Sequence, residues 1–212
     1  MCSDNWKWVV VGGQAHKVGK TSVIAGLIRG LKKFAWTAVK ISYHGGEAVP
    51  DDARSADELP EPLDFLLSEE SNPEGTGDTS LYLAAGARRA LWLRAHGRGL
   101  SRAVPCLLDA LAGDEQVIVE SNSLLGFLIP AVFLMVIDES VGHVKPSARQ
   151  FLARADAFVA VRRGPAPCVR TAPIMQVPQD RPVFSVATGD WSSRELCRFV
   201  SDRLTSTRSS NL

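Results

Sequence analysis

The sequence predicts an α/β fold, a doubly wound and mostly parallel sheet with helices on both faces. Two observations lead there. Apolar runs of strand length alternate along the chain with segments whose apolar residues recur at helical spacing, and such alternation means parallel strands joined by crossover helices. The length of 212 residues and the 45% hydrophobic content suit one domain, 1–212, with a substantial core. No internal repeat is visible.

The elements follow in order. "WKWVVVGG" (6–13) is a buried strand. In "GKTSVIAGLIRGLKKF" (19–34), Val23, Ile24, Leu27, Ile28 and Leu31 recur at helical spacing. The strand "WTAVKISYH" (36–44) comes next. Composition then shifts: Glu47 to Asp78 holds 11 acids against one base, Arg54, with prolines at 50, 60, 62 and 73. The span at about 45–78 therefore reads as an acidic loop or insertion, with one helical turn near Leu63 to Leu67. A helix N-capped by Asp78 or Thr79 closes near Gly86 and passes into the strand "RALWLRA" (89–95). A helix over Gly99 to Ala112 is kinked by Pro105, or starts late because of it. "QVIVES" (116–121), "AVFLMVID" (131–138), "DAFVAVR" (156–162) and "PVFSVAT" (182–188) are strands. "KPSARQFLARA" (145–155) and "SSRELCRFVSDRL" (192–204) are helices, and a polar tail at about 205–212 is expected to fray. Trp6, Trp8, Trp36 and Trp92 lie in the strands as core or interface residues.

Charge and cysteines exclude several classes. Lys and Arg number 24 against 23 Asp and Glu, so no net field draws the chain to nucleic acid or a membrane surface. The four cysteines, Cys2, Cys106, Cys168 and Cys197, form no C-x-x-C pair; this argues against zinc or a disulfide framework and fits the cytoplasm. No basic segment precedes an apolar stretch at the start, against a signal peptide. The longest apolar run (124–137) contains Pro130 and falls short of the roughly 20 residues of a membrane span. It is expected in the core.

The strongest chemical signal is "VVVGGQAHKVGKTS" (9–22). A strand followed at once by a glycine-rich turn and a helix ending the turn in Gly-Lys-Thr is the setting of a phosphate-binding loop. Backbone N–H groups face the phosphates, the lysine reaches the outer ones and the hydroxyl ligates Mg²⁺. The ordinary spacing would put the first glycine at position 14, which is Gln14; Gly13 makes the loop one residue longer. The binding segment is then Gly13, Gln14, Ala15, His16, Lys17, Val18, Gly19, Lys20, Thr21 and Ser22. Lys20 neutralises the outer phosphates, Thr21 holds the metal, and Ser22 is a weaker candidate. His16 reads as a solvated loop residue. For the metal's second partner, Glu120, closing the short apolar strand "QVIVE", is preferred over Asp138 at the end of "LMVID".

The spacing of five residues between Gly13 and Gly19 resembles the phosphate loop of dethiobiotin synthetase. "GGQAHKVGKTSVIAGLIRGLK", "TAVKISYHGGE", "GDTSLYLAAGARRALWLRA" and "VIVES" together resemble the molybdopterin-guanine dinucleotide biosynthesis adapter proteins (MobB), over roughly positions 7–122. The departures are the longer loop, Glu120-Ser121 in place of Glu-Gly, and a longer acidic stretch. The resemblance implies a P-loop NTPase fold, Mg²⁺, GTP or ATP, slow hydrolysis, and a role as adapter to a molybdenum-cofactor biosynthesis enzyme. It gives Lys40, His44 and Asp78 roles at the substrate or switch side, with Asp78 or Glu120 orienting water beside Lys20. Without it, they read equally as a strand-end cation, a turn histidine and a helix cap. The loop spacing supports an alternative, a dethiobiotin-synthetase-like ligase or small-molecule kinase in which Lys40 binds the acceptor. No guanine-reading N-K-x-D element is present; by position, the loop at Val186 to Asp190 is expected to read the base. The extra lysine of dimeric K-G-G-x-G-K-[ST] ATPases would fall at Ala15, so Lys17 is given no cross-subunit role and a homodimer stays open.

Overall fold

The computed structural model describes residues 6–44, 59–60, 62–138, 140–163 and 177–206. Eight strands within them form one sheet: β1 (Trp6–Gly13), β2 (Thr37–His44), β3 (Phe65–Glu70), β4 (Arg89–His96), β5 (Val117–Glu120), β6 (Pro130–Ile137), β7 (Ala157–Arg162) and β8 (Val183–Ala187). The helices are α1 (Lys20–Gly30), α2 (Asp78–Ala84), α3 (Gly99–Ala110), α4 (Pro146–Phe151) and α5 (Arg194–Ser206), with 3-10 turns at Ser123–Gly126 and Leu152–Arg154. The strand order is β3-β4-β2-β5-β1-β6-β7-β8. Every pairing is parallel except that of β3 with β4.

Both faces of the sheet are covered, and β1 shows how. Its successive side chains point to opposite sides. Trp8 and Val10 enter one apolar cluster with Leu100, Leu107 and Phe151 from α3 and α4. Val9 and Val11 enter the other, with Ile24, Leu27 and Ile28 from α1, Tyr82 from α2 and Leu196 from α5. Burying each of these large side chains stabilises the fold by about 1.5–3 kcal/mol. The central strand β5 is buried at all four positions and β6 at its last six, and they read as near-continuous apolar runs because both their faces are covered. The indole N–H of Trp36 donates to Leu31 O at 3.1 Å, which satisfies a carbonyl at the end of α1 and holds the wholly buried ring under that helix. The apolar run at 124–137 is largely core, as expected: Leu124, Leu125 and Val132 to Ile137 are buried, although Phe127 and Ile129 are exposed. Among the described residues no helix is long and apolar enough to cross a membrane.

Several local expectations are corrected. In place of a helical turn near Leu63 to Leu67, β3 pairs antiparallel along β4, Phe65 with Ala95 through Glu70 with Ala90. The open edge of β4 offers a full row of backbone partners, and that outweighs the acidic composition. The acidic insertion is thus a strand at 65–70, while 45–58 and Glu61 lie outside the described residues. The cap of α2 is Gly77, in extended conformation, not Asp78 or Thr79. The Asp78 carboxylate pairs with Lys40, and the Thr79 and Ser80 hydroxyls donate to Glu70 at 3.2 and 3.1 Å. Helix α3 runs continuously from Gly99 with Pro105 inside it, so the late start does not occur. The helix expected at 145–155 ends at Phe151 and tightens into a 3-10 turn. Trp36 precedes β2 rather than lying in it. Thr205 and Ser206 belong to α5, their hydroxyls donating to Ser201 O and Asp202 O; 207–212 lie outside the described residues.

Candidate functional site

The carboxyl ends of β1 and β5 lie side by side, with Val11 in register with Glu120. β2 flanks β5 with Lys40 opposite Glu120. Crevices outside the carboxyl ends of parallel strands are where such sheets bind ligands.

Between β1 and α1 the loop turns through two left-handed residues, Lys17 (φ 57°) and Gly19 (φ 96°). Gly19 is the N-cap residue of α1, and glycine adopts that conformation at no steric cost. A Cβ on Gly13 would stand 2.7 Å from Lys20 Cδ and 2.8 Å from its Cγ. Gly13 is therefore the residue over which the Lys20 side chain folds back. The Lys20 ammonium ends 3.4 Å from Ala15 O and 3.6 Å from Glu120 Oε1.

Thr21 Oγ1 donates to Glu120 Oε2 at 2.8 Å, and the buried Tyr82 hydroxyl donates to the same oxygen. Burial pushes the Glu120 carboxyl up, but the charges of Lys20 and Lys40 and the bonds from Tyr82 and Thr21 outweigh it, so its pKa lies below the ordinary glutamate value. Glu120 is ionised at neutral pH. Burial and the Glu120 charge push the Tyr82 phenol well up, which keeps it a donor. The rival acid, Asp138, is already engaged: it accepts from Ser140 N at 3.0 Å and Ser140 Oγ at 2.6 Å and pairs with Arg163.

The other expected residues divide. Ala15 and Val18 are buried and carry the loop, whereas His16 and Lys17 are exposed. Ser22 is half-buried at the start of α1. Gln14 does not face a ligand with its side chain. Its amide donates to Val141 O at 2.7 Å and His143 O at 3.1 Å and accepts from Asp138 N at 3.1 Å, bracing the loop against the segment after β6. Lys40 and Asp78 form an ion pair, with the Lys40 ammonium 5.8 Å from the centre of the Trp92 ring. His44 ends β2 in register with His96; its side chain lies outside the described residues. At the expected base side, Gly189 (φ 110°) and Trp191 (φ 54°) are left-handed, and Trp191 packs against Gly19.

Sequence reasoning missed two residues. Asn122 accepts from Gly13 N at 2.9 Å and donates to Gly13 O at 3.0 Å, clamping the end of β1 from 109 residues away. Tyr82 read only as part of a helix. Their positions beside Glu120 and on the inner face of α2 were the available signals.

No family model and no curated protein matches the sequence. Solved structures do. The chain is similar to the 54 kDa protein of the signal recognition particle from Aeropyrum pernix K1, in complex with GDP. The TM-score is 0.51 at 16% identity, over 97% of this chain and 48% of that one. Two others score lower. LpxK from Aquifex aeolicus, in complex with ATP, has a TM-score of 0.48 at 15% identity, over 85% of this chain and 53% of that one. HypB from Helicobacter pylori, in complex with nickel, has a TM-score of 0.47 at 13% identity, over 95% of this chain and 87% of that one. The chain spans about half the length of the first and second of these. With the eight-stranded sheet and the loop between β1 and α1, the fold is the α/β fold of the P-loop NTPases.

Proposed function

We propose that the protein binds a purine nucleoside triphosphate with Mg²⁺ at the Gly13–Ser22 segment and hydrolyses it slowly. The observation that carries this reading is the convergence of Lys20, Thr21 and Glu120 at the ends of β1 and β5. The Thr21 hydroxyl donates its hydrogen bond to Glu120, so the oxygen's lone pairs are left for a cation. A hydroxyl and an ionised carboxylate are hard oxygen donors of the kind Mg²⁺ takes. Thr21 and Glu120 would hold Mg²⁺, which would supply charge neutralisation for the outer phosphates.

The chain's own groups do the rest. The amides from Ala15 to Thr21 hold the inner phosphates and Lys20 the outer ones. Glu120, which stands beside Lys20 and Thr21, or Asp78, paired with Lys40, orients water. Slow hydrolysis is what the sequence resemblance at 7–122 implies. The role as an adapter in molybdenum-cofactor maturation, in the cytoplasm, extends this reading on the sequence resemblance at 7–122. The alternative, a dethiobiotin-synthetase-like ligase or small-molecule kinase, is favoured by one observation, a cavity that continues past Lys20 and Lys40.

A thermal-unfolding screen with GTP, ATP and their diphosphates, each with and without Mg²⁺, tests the reading. A triphosphate at 100 times its Kd adds about 2.7 kcal/mol, which raises the Tm of a domain this size by roughly 5–10 °C. The rise should need Mg²⁺. No shift with any nucleotide would contradict the proposal.

A further inference from the structure

We infer that the cavity beside the phosphate loop binds a second ligand together with the nucleotide: an anionic small molecule with a planar apolar body. This rests on the nucleotide reading of the loop, with the nucleoside directed toward residues 186–191.

The cavity measures about 580 Å³, within the roughly 300–1,000 Å³ of small-molecule sites. Lys20 and Glu120 line it, and they are the groups assigned to the terminal phosphate and its metal. Such a phosphate is far too small to fill the space. The remaining wall comes from the end of β2, the turn between β4 and α3, the 3-10 turn after β5, and the start of α4. Gly19 instead faces Trp191 and Val161, from the β7–β8 half of the sheet. The loop thus has one side toward each half, and the cavity lies on the side away from residues 186–191.

Charge and apolarity define the ligand. Four cations, Lys20, Lys40, Arg98 and Lys145, line the cavity against a single acid, Glu120, in a chain whose bases and acids number 24 and 23. Lys20 is assigned to the nucleotide and Lys40 pairs with Asp78. Arg98 and Lys145 come from different elements, ahead of α3 and α4, so an anion between them would be held from two sides. Phe127, 47% exposed, is one of four exposed large hydrophobic residues among those described. It lies on the cavity wall with Leu100 and Phe151. Aromatic side chains and cations lining one cavity suit a flat apolar body carrying a phosphate or carboxylate.

The test titrates 1-naphthyl phosphate, with 1-naphthol and inorganic phosphate as controls, into the full chain saturated with Mg²⁺ and a non-hydrolysable triphosphate. The naphthyl phosphate should bind and both controls should bind weakly. Arg98→Ala, Lys145→Ala and Phe127→Ala should each weaken it about tenfold, the loss of one good contact, with nucleotide affinity unchanged. Lack of binding by the wild type, competition with the nucleotide, or indifference to all three substitutions would overturn the inference. Nucleotide affinity is read in the same samples, so a failed nucleotide site is seen separately. In that event the probe is titrated into nucleotide-free Lys20→Ala. Binding that still depends on Arg98 and Lys145 upholds the cavity as a site, and its absence overturns it.

Discussion

At Gly13 the room a Cβ would take is already filled by the Lys20 methylenes and by Val18 Cγ2, 2.9 Å away. The longer spacing between Gly13 and Gly19 therefore leaves the pairing of glycine and lysine intact. The added residue is absorbed in a loop that turns left-handed at Lys17 and Gly19. The same scale separates the two acids. Glu120 meets Thr21 and Lys20, whereas Asp138 is spent on Ser140 and Arg163. Glu120→Gln should raise the Mg²⁺ concentration needed for nucleotide binding about tenfold or more, as expected when a charge-assisted partner is lost. Asp138→Asn should leave it nearly unchanged. Measuring nucleotide affinity against Mg²⁺ for both variants checks this, and the reverse order would move the metal to β6.

At the scale of elements, the loop is fixed from outside by Asn122 on Gly13 and by Gln14 on the segment after β6. Gly12 makes room for that clamp: a Cβ there would run into Asn122 Oδ1 and stand 2.9 Å from Phe133 Cε2. Gly12→Ala should cost about 1–3 kcal/mol, as overpacking in a filled core does. Urea unfolding measures it, and unaltered stability would show that the clamp yields freely. The legible elements were those whose pattern is local: β1, α1, β2, β5 and β6 announce themselves by apolar runs or helical periodicity. β3 was hidden because "FLLSEE" sits among acids and prolines and is only half-buried; the open edge of β4 decides it. The clamp was hidden for a related reason, since its partners are 109 residues apart.

For the whole molecule, several carboxylates are held below their usual range. Burial opposes ionisation of Glu120 and Asp138 but is outweighed, by Lys20 and Lys40 in one case and by Ser140 and Arg163 in the other. Glu69 is lowered first by its hydrogen bonds from Arg89. A carboxyl whose folded pKa is depressed adds stability above its unfolded pKa of about 4 and loses it as pH falls through the folded value. Unfolding free energy measured by urea between pH 6 and 3 should thus decline below about pH 4. A flat or rising profile would mean these pairs contribute nothing net. The α/β class and the loop were legible because strand-helix alternation and one motif are local patterns, whereas the strand order β3-β4-β2-β5-β1-β6-β7-β8 was not, since alternation alone does not say which strands become neighbours. The roles of Tyr82 and Asn122, and the cavity beyond Lys20, depend on which strand ends the topology brings together.

The central claim is that Lys20, at the head of α1, holds the outer phosphates of a bound nucleotide. Isothermal titration of the wild type and Lys20→Ala with Mg²⁺ and GTP or ATP tests it most directly. The wild type should bind one triphosphate per chain, and Lys20→Ala should bind at least about 100-fold more weakly, the loss of a charge-assisted contact to a buried phosphate. Equal affinity in the two proteins would contradict it.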